Sequence, residues 1–357
     1  MRGENMCTTF SLNKDRLVGQ NYDFYFGHGC ILFNPKNLKK YTPVQPPQKP
    51  LTWLSSFNSL TFNQFGCEFP TGGMNDQGLV AAIMFDEDGI FPKEEASSGL
   101  SELQWVQYQL DNFATVAEVR DHLSETLPFA QFMPLHYTLA DASGQSLIVE
   151  FVDGQPVLHD DQDFHVLTNT NLERTQQEAQ DPPQTIDKDR DLSVRRYASL
   201  MADFARDKDQ TADVDQAFDY LNRVAFLNQE DNIGFNFMLQ EEVPVYTYWS
   251  IVYDSQQKQI YLKTYDHPDL KVFSLEKMAE RYQRISMLDI ETSQAGDLSQ
   301  ALQPFDPALN RSMIAQSYSQ LAPDLPSQVL DWLSTYPQTF RRKGALMQSL
   351  RRLWGRA

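Results

Sequence analysis

The fold is decided near the start of the chain, where residues 7–24 read CTTFSLNKDRLVGQNYDF. Residues 7–12 and 17–24 are two β-prone runs, and the polar tetrapeptide 13–16 separates them. Two such runs around a four-residue polar loop are typical of a β-hairpin. We therefore predict an antiparallel pair of strands with Cys7 at its beginning and Asp23 near its end.

Outward from this hairpin, strand patterns and helix patterns alternate in blocks. A continuous apolar run at residues 78–85 predicts a strand that is buried on both faces. Further strands are predicted at residues 53–57 and 61–65 as a pair, and at 136–140, 146–151, 165–168, 245–253 and 259–264. Helical spacing of apolar residues predicts helices at residues 101–123 (with a second helix starting near 116), 192–205 and 211–225. Strands, then helices, then strands again predict an α+β layered sandwich.

Two proline-containing stretches are predicted to lack regular structure. Residues 34–50 hold four prolines within eight positions, and residues 176–190 are polar and contain a Pro-Pro pair. Proline fixes its own backbone and lacks an N–H donor, so both stretches are expected to be loops.

Composition excludes several classes of function. The 357 residues include 30 Lys+Arg and 48 Asp+Glu, a net charge of −18, which argues against nucleic acid as a partner because phosphate binding needs a basic face. No apolar run approaches the roughly 20 residues of a transmembrane helix. The three cysteines and six histidines show no metal-ligand spacing, so neither a metal nor another cofactor is expected.

The sequence allows a prediction of cellular location but not of oligomeric state. Residues 1–6 contain no apolar segment of the secretory type, which predicts a cytoplasmic protein. A signal peptide upstream of this sequence would instead place it in the periplasm or outside the cell. The sequence is compatible with a homo-oligomer and does not determine the oligomeric state.

The C-terminal part differs from the rest. From about residue 286 the pattern predicts helices interrupted by prolines, and we place a domain boundary between residues 285 and 286. The last 17 residues carry six basic residues and no acidic ones, with apolar residues on one face of a predicted helix. This basic tail either docks onto the acidic body of its own chain, which we favour, or binds a membrane surface or a partner.

Cys7 is the strongest candidate for a catalytic nucleophile in this sequence. If cleavage removed residues 1–6, its α-amine would become free and could act as the base for its own thiol. The reference pKa values are about 8 for the amine and about 8.5 for the thiol. Such a cysteine needs no histidine partner, and Asp23 on the paired strand could hold the protonated amine. The alternative is a small buried core residue, since free cysteine is among the most buried residue types.

Six short motifs in fixed order resemble one family. They are CTTF (7–10), GQNYD (19–23), GMNDQGLV (73–80), LTN (167–169), RRY (195–197) and WSIVYD (249–254). Together they resemble the choloylglycine hydrolase and penicillin V acylase family, linear amide C–N hydrolases of the N-terminal nucleophile superfamily. The resemblance covers roughly residues 7–275. It implies a four-layer αββα sandwich over residues 7–285, to which this chain adds the helical extension 286–357.

The resemblance also implies roles for individual residues. Cys7 matches the nucleophile that becomes the mature N-terminus, and Asp23 matches the aspartate beside its amine. Asn169 matches the side-chain donor of the oxyanion hole, and Phe85 stands where a second donor, here a backbone N–H, is expected. Arg196 matches the arginine that supports them, with Arg195 as the neighbouring alternative.

Three further positions belong to the pocket or its support. Gln20 replaces the arginine that the family usually carries, so the positive field that would lower the thiol pKa is absent at that position. Tyr22 is expected near the pocket, and Asn75 is expected to be structural. The segment between Asn169 and Arg196 is shorter than in tetrameric members, so a tetramer is not expected to carry over.

The resemblance implies a hydrolase that cleaves an N-acyl amide of a small molecule through an acyl-enzyme. Two alternatives use the same scaffold. One is an acyltransferase, in which an amine intercepts the acyl-enzyme, and the other is a non-catalytic binding protein, which the neutral Gln20 favours.

Overall fold

The computed structural model describes residues 7–44, 50–86, 88–93, 97–130, 133–160, 162–180, 192–227, 233–236, 241–321 and 326–342. Within these ranges the predicted first hairpin is confirmed. Thr8–Leu12 pairs antiparallel with Leu17–Phe24, and Leu12 lies opposite Leu17 across the turn. The turn closes with Arg16 at a φ of 58°, in the left-handed region.

The hairpin lies in a seven-stranded sheet, here called sheet A. Its strands, in spatial order, are β14 (Phe164–Leu167), β1 (Thr8–Leu12), β2 (Leu17–Phe24), β17 (Tyr246–Asp254), β18 (Gln259–Thr264), β19 (Lys271–Ser274) and β21 (Gly296–Asp297). The predicted antiparallel pair late in the chain is therefore β17 with β18, and β17 extends the hairpin through β2.

A nine-stranded sheet, sheet B, faces sheet A. Its strands, in spatial order, are β13 (Gln155–His159), β12 (Ser146–Val152), β11 (Leu135–Ala140), β8 (Val80–Phe85), β7 (Pro70–Asn75), β6 (Ser59–Asn63), β3 (Cys30–Asn34), β20 (Ser286–Asp289) and β22 (Gln303–Pro304). The apolar run predicted to be buried on both faces is β8, near the centre of this sheet.

Helices cover the outer face of each sheet and complete a four-layer αββα sandwich. On sheet B, α1 packs against β7 and β8, while α4 and α5 cover β14, β2 and β17 of sheet A. The helices are α1 (Glu102–Asn112), α2 (Val116–Asp121), α3 (Leu172–Glu178), α4 (Leu192–Asp207), α5 (Val214–Arg223), α6 (Leu275–Arg281), α7 (Pro307–Leu321) and α8 (Ser327–Thr335). The layered α+β fold is thus confirmed.

Alternation along β1 decides which side chains point where. Phe10 points to the helix layer and meets the ring of Phe204 on α4 at 5.3 Å between centroids. Thr9 points to sheet B, where its hydroxyl lies 2.7 Å from that of Thr138 on β11. Since side chains alternate along a strand, Cys7 faces sheet B with Thr9, and Thr8 faces the helices with Phe10.

Two local predictions were wrong. Residues 53–57 and 61–65 do not pair with each other: β5 (Thr52–Leu54) pairs with β4 (Leu38–Tyr41), whereas β6 lies between β3 and β7. Residues 34–50 were predicted to lack regular structure, yet they contain β4. The prolines that motivated that prediction begin only after β4 ends, so they do not interrupt its hydrogen bonds.

The region after residue 285 remains attached to the sandwich. Strand β20 pairs with β3 inside sheet B, so the sheet continues past the boundary that we placed at residue 285. The following helices pair with each other as α7 and α8, and Asn310 on α7 accepts a 3.1 Å hydrogen bond from the Cys67 N–H. Residues 341–342 form a short strand, β23, against β4. The basic helix predicted beyond residue 342 lies outside the described residues.

Candidate active site

Cys7 immediately precedes β1, and its main chain is held at both ends. Its N–H donates to Asn169 Oδ1 at 2.7 Å, and its carbonyl accepts from Arg196 Nη1 at 2.6 Å. The thiol is directed at the carbonyl oxygen of Asp23, with Sγ at 3.7 Å. Three of the residues predicted to act with Cys7 therefore meet it directly.

Asn169 reaches Cys7 because the strand before it, β14, pairs with β1, with Leu167 opposite Thr9. Its backbone N–H donates to Ser193 Oγ at 2.9 Å, and its side-chain Nδ2 donates to the Phe85 carbonyl at 3.0 Å. The end of β8 in sheet B and the end of β14 in sheet A thus meet at this asparagine.

Arg196 comes from the first turns of α4 and is 5% exposed. Besides the Cys7 carbonyl, its guanidinium donates to Asn169 Oδ1 at 2.9 Å and to the Thr8 hydroxyl. Its plane lies over the ring of Phe226, 5.4 Å from the centroid. Several donors in one rigid fork let a single arginine fix the main chain of Cys7 and the side chain of Asn169 together. None of these contacts involves Arg195, the alternative considered from the sequence.

Asp23 is fully buried on β2, and only one of its two carboxylate oxygens accepts a hydrogen bond from the described residues. Its Oδ1 accepts from the Thr247 hydroxyl at 2.5 Å, whereas Oδ2 lies 3.6 Å from Arg196 Nη1 and has no hydrogen-bond partner among the described residues. Burial raises the pKa of this carboxyl to about 7, against the lowering effects of Arg196 and Thr247. The site thus holds a buried carboxylate oxygen that could accept one more donor.

The thiol of Cys7 is protonated in this form of the chain. Burial, followed by the charge of Asp23, raises its pKa to about 12, and the nearby Arg196 only partly offsets this. A thiol is a weak nucleophile compared with its thiolate. In this state, with Cys7 joined to residue 6 by a peptide bond, the candidate site is assembled but the Cys7 thiol is not ionised.

Gln20 and Tyr22, which were predicted to line or support the pocket, make different kinds of contact. Gln20 is buried between the sheets, where it donates to the Thr71 carbonyl at 3.1 Å and accepts from the Tyr253 hydroxyl at 2.8 Å. A Cβ at Gly72 would lie only 2.4 Å from the Gln20 amide oxygen, so glycine makes room for this side chain. Tyr22 stacks on Trp249 with 4.1 Å between ring centroids and hydrogen-bonds Gln64.

Asn75 ties a turn to a helix. Its Nδ2 donates to the carbonyls of Leu110 and Phe113 at the end of α1, at 3.0 and 2.7 Å. Its Oδ1 accepts the N–H of Leu79 at 3.0 Å, which closes the turn between β7 and β8. These contacts agree with the structural role expected from the sequence.

The sequence did not single out three hydroxyl residues that complete the site. Thr247 bonds Asp23, Thr8 bonds Arg196, and Ser193 holds the Asn169 peptide. Ser193 also donates to the Thr168 hydroxyl at 2.8 Å. Only Thr8 offered a signal, because it directly follows the candidate nucleophile. Thr247 and Ser193 depend on strand pairing and helix docking, which a linear pattern does not reveal.

A second buried cluster lies next to this site, although no metal was predicted. Asp86, His136 and Glu150 bring ligand atoms within 4.8 Å of one another, a spacing that could hold a metal ion. Both ring nitrogens of His136 are already used, however: Nδ1 lies 3.1 Å from Glu150 and Nε2 lies 2.6 Å from the Thr168 carbonyl. Hydrogen bonding accounts for this cluster.

A cavity of about 460 Å³ lies elsewhere in the fold. It lies at the opposite end of β1, between the first turn and helices α4 and α5, with Leu12, Phe164 and Tyr220 among its lining residues. Cys7 does not line it and is itself 7% exposed. This cavity is therefore separate from the cluster of side chains around Cys7.

Comparison with known proteins agrees with this geometry. Residues 7–181 match the linear amide C–N hydrolases of the choloylglycine hydrolase family. The penicillin V acylase of Pectobacterium atrosepticum is 33% identical over 139 residues, an alignment that spans 34% of this chain and 37% of that protein. Across the described residues, no helix has the length and apolar character needed to cross a membrane.

Solved structures show the same fold at low sequence identity. The penicillin V acylase from Agrobacterium tumefaciens is 21% identical, with a TM-score of 0.66 over 84% of this chain and 98% of that one. A variant of the conjugated bile acid hydrolase from Clostridium perfringens is 18% identical, with a TM-score of 0.64 over 82% and 98% of the two chains. The αββα sandwich is the fold of these structures, and the match over residues 7–181, just under half of the chain, makes that part similar to the choloylglycine hydrolase family of linear amide C–N hydrolases.

Proposed function

We propose that this protein hydrolyses the amide bond of a small N-acyl substrate, with Cys7 as an N-terminal nucleophile. One observation carries the proposal. The main chain of Cys7 is held between Asn169 and Arg196, and the same Arg196 also donates to Asn169. A core cysteine needs no such arrangement, whereas a nucleophile needs its attacking atom and its oxyanion donors held in fixed relation.

Cleavage of the peptide bond before Cys7 would supply the missing base. The free α-amine, with a reference pKa of about 8, can take the thiol proton that the buried side chain otherwise retains. Asp23 Oδ2, which has no hydrogen-bond partner among the described residues, offers an acceptor for the resulting ammonium group. The buried carboxylate and the new cation would compensate each other.

The chemistry then proceeds in two halves. The Cys7 thiolate attacks the carbonyl carbon, and the carbonyl oxygen becomes an oxyanion. Asn169 Nδ2 carries two hydrogens, of which one goes to the Phe85 carbonyl, so the second is the proposed donor to this oxyanion. The Phe85 N–H is the predicted second donor. The Cys7 ammonium gives its proton to the leaving amine, and water then attacks the thioester to release the acid and restore the thiol.

The acyl group is proposed to be apolar. The relatives are named for penicillin V and for conjugated bile acids, which both join an apolar acyl part to an amine through an amide. In this chain the segment after Asp23 is aromatic: Phe24 packs against Tyr25 and Phe26 with centroid distances of 4.8 and 4.9 Å. An apolar surface of this kind beside Cys7 favours an aromatic or alicyclic acyl group.

One observation favours a non-catalytic role on the same scaffold. Gln20 is neutral, and its hydrogen bonds go to Thr71 and Tyr253, so it contributes no positive charge to the thiol. Arg196 is the cation that does reach Cys7, and its contacts are the reason we prefer the hydrolase.

The test is amine release from penicillin V and from a glycine-conjugated bile acid, followed with an amine-reactive fluorophore. Cys7→Ala should abolish turnover without unfolding the protein. Cys30→Ala is the matched control, since it removes a buried thiol from β3 and should leave turnover intact. Equal rates for the wild type and Cys7→Ala would refute the mechanism. Release of amine without free acid when a second amine is present would identify acyl transfer.

A further inference from the structure

The cluster beside the site contains a histidine that spans both sheets. His136 lies on β11 of sheet B, fully buried, and its Nε2 lies 2.6 Å from the carbonyl of Thr168 at the end of β14 in sheet A. That carbonyl belongs to the peptide group that joins Thr168 to Asn169. The N–H of the same peptide group donates to Ser193. One peptide plane is therefore fixed at its oxygen by His136 and at its nitrogen by Ser193.

The other ring nitrogen faces two buried acids. Nδ1 lies 3.1 Å from Glu150 Oε1 and 3.8 Å from Asp86 Oδ2, and all three side chains are fully buried. Glu150 is itself fixed from the other side, because its Oε1 accepts the Leu172 N–H at 2.8 Å and its Oε2 lies 2.8 Å from His159 Nε2. Asp86 directly follows Phe85, the residue whose carbonyl accepts from Asn169.

Hydrogen-bond chemistry decides the form of the ring. A backbone carbonyl only accepts, so Nε2 must carry a hydrogen, and Nδ1 carries one as well when it donates to an ionised Glu150. His136 is then an imidazolium. Burial lowers the pKa of His136, but Asp86, Glu150 and the Thr168 carbonyl together raise it above the ordinary value. Burial raises the pKa of Glu150, but its hydrogen bonds to His136 and His159 outweigh this and lower it to about 2.

We propose that His136 is a positioning residue that sets the geometry of the oxyanion donors. Glu150 and Asp86 hold its ring in sheet B, and the ring holds the Thr168–Asn169 peptide in sheet A. It thereby links Phe85 and Asn169, which come from different sheets. The catalytic part of this inference rests on the proposed function, whereas the structural link between the sheets does not.

Two variants of His136 test the hydrogen bonds of its two ring nitrogens separately. His136→Gln places an amide nitrogen near the position of Nε2, so it keeps a donor for Thr168 and loses the partner of Glu150. His136→Asn does the reverse. Both variants remove the positive charge, so a purely structural role would make the Gln variant the worse one, because it also leaves the buried Glu150 without its hydrogen-bond donor from position 136.

A positioning role makes the Asn variant the worse one in kcat. We expect His136→Asn to lower kcat about 100-fold, the typical result of a displacement near 1 Å, with KM changed less than about threefold. His136→Gln should stay within about tenfold of the wild type. The matched control is His165→Asn, since His165 is a buried histidine on β14 whose Nδ1 bonds Ser146 and not the site. Equal kcat losses in the two His136 variants, or a larger loss in His136→Gln, would overturn the proposal.

A second readout does not depend on turnover. In protein labelled with ¹⁵N-asparagine, the backbone amide signal of Asn169 should shift in His136→Asn and stay near its wild-type position in His136→Gln. An Asn169 signal that is unmoved in His136→Asn would overturn the positioning role even if no amide substrate were found. Absence of turnover in the wild type, with the signal shifted as expected, would instead refute the proposed function and leave the link between the sheets standing.

Discussion

Two buried cations, Lys40 and Arg196, have very different surroundings. Lys40 Nζ lies 2.9 Å from Glu68 and 2.9 Å from Asp111, in a cluster that is fully buried. Arg196 Nη1 lies 3.6 Å from the acid Asp23, and the guanidinium makes shorter contacts with neutral oxygens of Cys7 and Asn169. Lys40 is thus neutralised by acids, while Arg196 is used mainly to position uncharged groups.

The difference separates a structural cluster from a site. Around Lys40 the charges compensate one another: the two acids, outweighing the cost of burial, raise the pKa of Lys40. Trp53 and Gln107 donate further hydrogen bonds to Asp111, at 2.8 and 2.9 Å. Beside Arg196 the ion pair is longer: Asp23 Oδ2 lies 3.6 Å from Nη1 and, like both oxygens of Glu68, has no hydrogen-bond partner among the described residues. The two regions therefore differ in the length of their ion pairs and in the neutral groups that Arg196 contacts.

The largest effect on stability is expected at Lys40. Lys40→Met leaves Glu68 and Asp111 buried without their cation, and breaking a buried pair in this way typically costs about 3–5 kcal/mol. Urea denaturation should show this loss in the free energy of unfolding, while kcat of the folded fraction stays at the wild-type value. A large fall in kcat with unchanged stability would contradict the structural assignment of Lys40.

At Arg196 we expect the opposite result, a large loss of kcat. Arg196→Met removes the donor that fixes both Cys7 and Asn169, so we expect kcat to fall about 10²–10³-fold, the range for the loss of an oxyanion donor. Arg206→Met is the control, since Arg206 lies on the same helix, is exposed and pairs, among the described residues, with Asp203 and Asp207. Its kcat should match that of the wild type. If both variants turned over at the same rate, Arg196 would have no role in the site.

The pH dependence of stability should report Asp23. While the bond between residues 6 and 7 is intact, burial raises the pKa of Asp23 from about 3.8 to about 7, so this folded chain binds more protons than the unfolded one across the interval. Asp23 therefore contributes a loss of stability as pH rises from about 4 through 7. Asp23→Asn should remove this contribution, so the stability difference between variant and wild type should grow in favour of the variant from pH 4 to pH 8. A constant difference would contradict the raised pKa.

A smaller effect is expected at Gln20. Gln20→Arg introduces a cation near Cys7, which should lower the thiol pKa and speed alkylation of Cys7 by iodoacetamide about tenfold for each unit of pKa. Arginine cannot accept a hydrogen bond, so Tyr253 loses its acceptor and the variant should be destabilised by about 1–3 kcal/mol. Gln20→Glu should slow alkylation instead. Equal alkylation rates in both variants would show that position 20 does not influence the thiol.

The sequence predicted the parts of this molecule in which one pattern decides one element. The first hairpin, the buried strand β8 and helices α1, α4 and α5 all follow from local periodicity and turn residues. The meeting of Cys7 with Asn169 and Arg196 was predicted only through the resemblance to a family. These residues are brought together by strand pairing and by helix docking, which act between distant parts of the chain.

What the sequence did not predict depends on long-range contacts. Strand β20 joins β3 across more than 250 residues, so its place in sheet B leaves no local signal. The four residues of β4 are too short to show alternation, and the prolines that follow obscured them. His136 lies in a predicted strand, but its partners Thr168, Glu150 and Asp86 come from three other positions in the fold.

Whether Cys7 acts as an N-terminal nucleophile is tested by locating the acyl group during turnover. The protein is mixed with penicillin V or the bile acid conjugate, quenched in acid within the first turnovers, and mapped by peptide mass spectrometry. We expect a peptide that begins at Cys7 and carries the acyl mass on that residue. Turnover by protein in which the bond between residues 6 and 7 is intact and Cys7 is unmodified would contradict it.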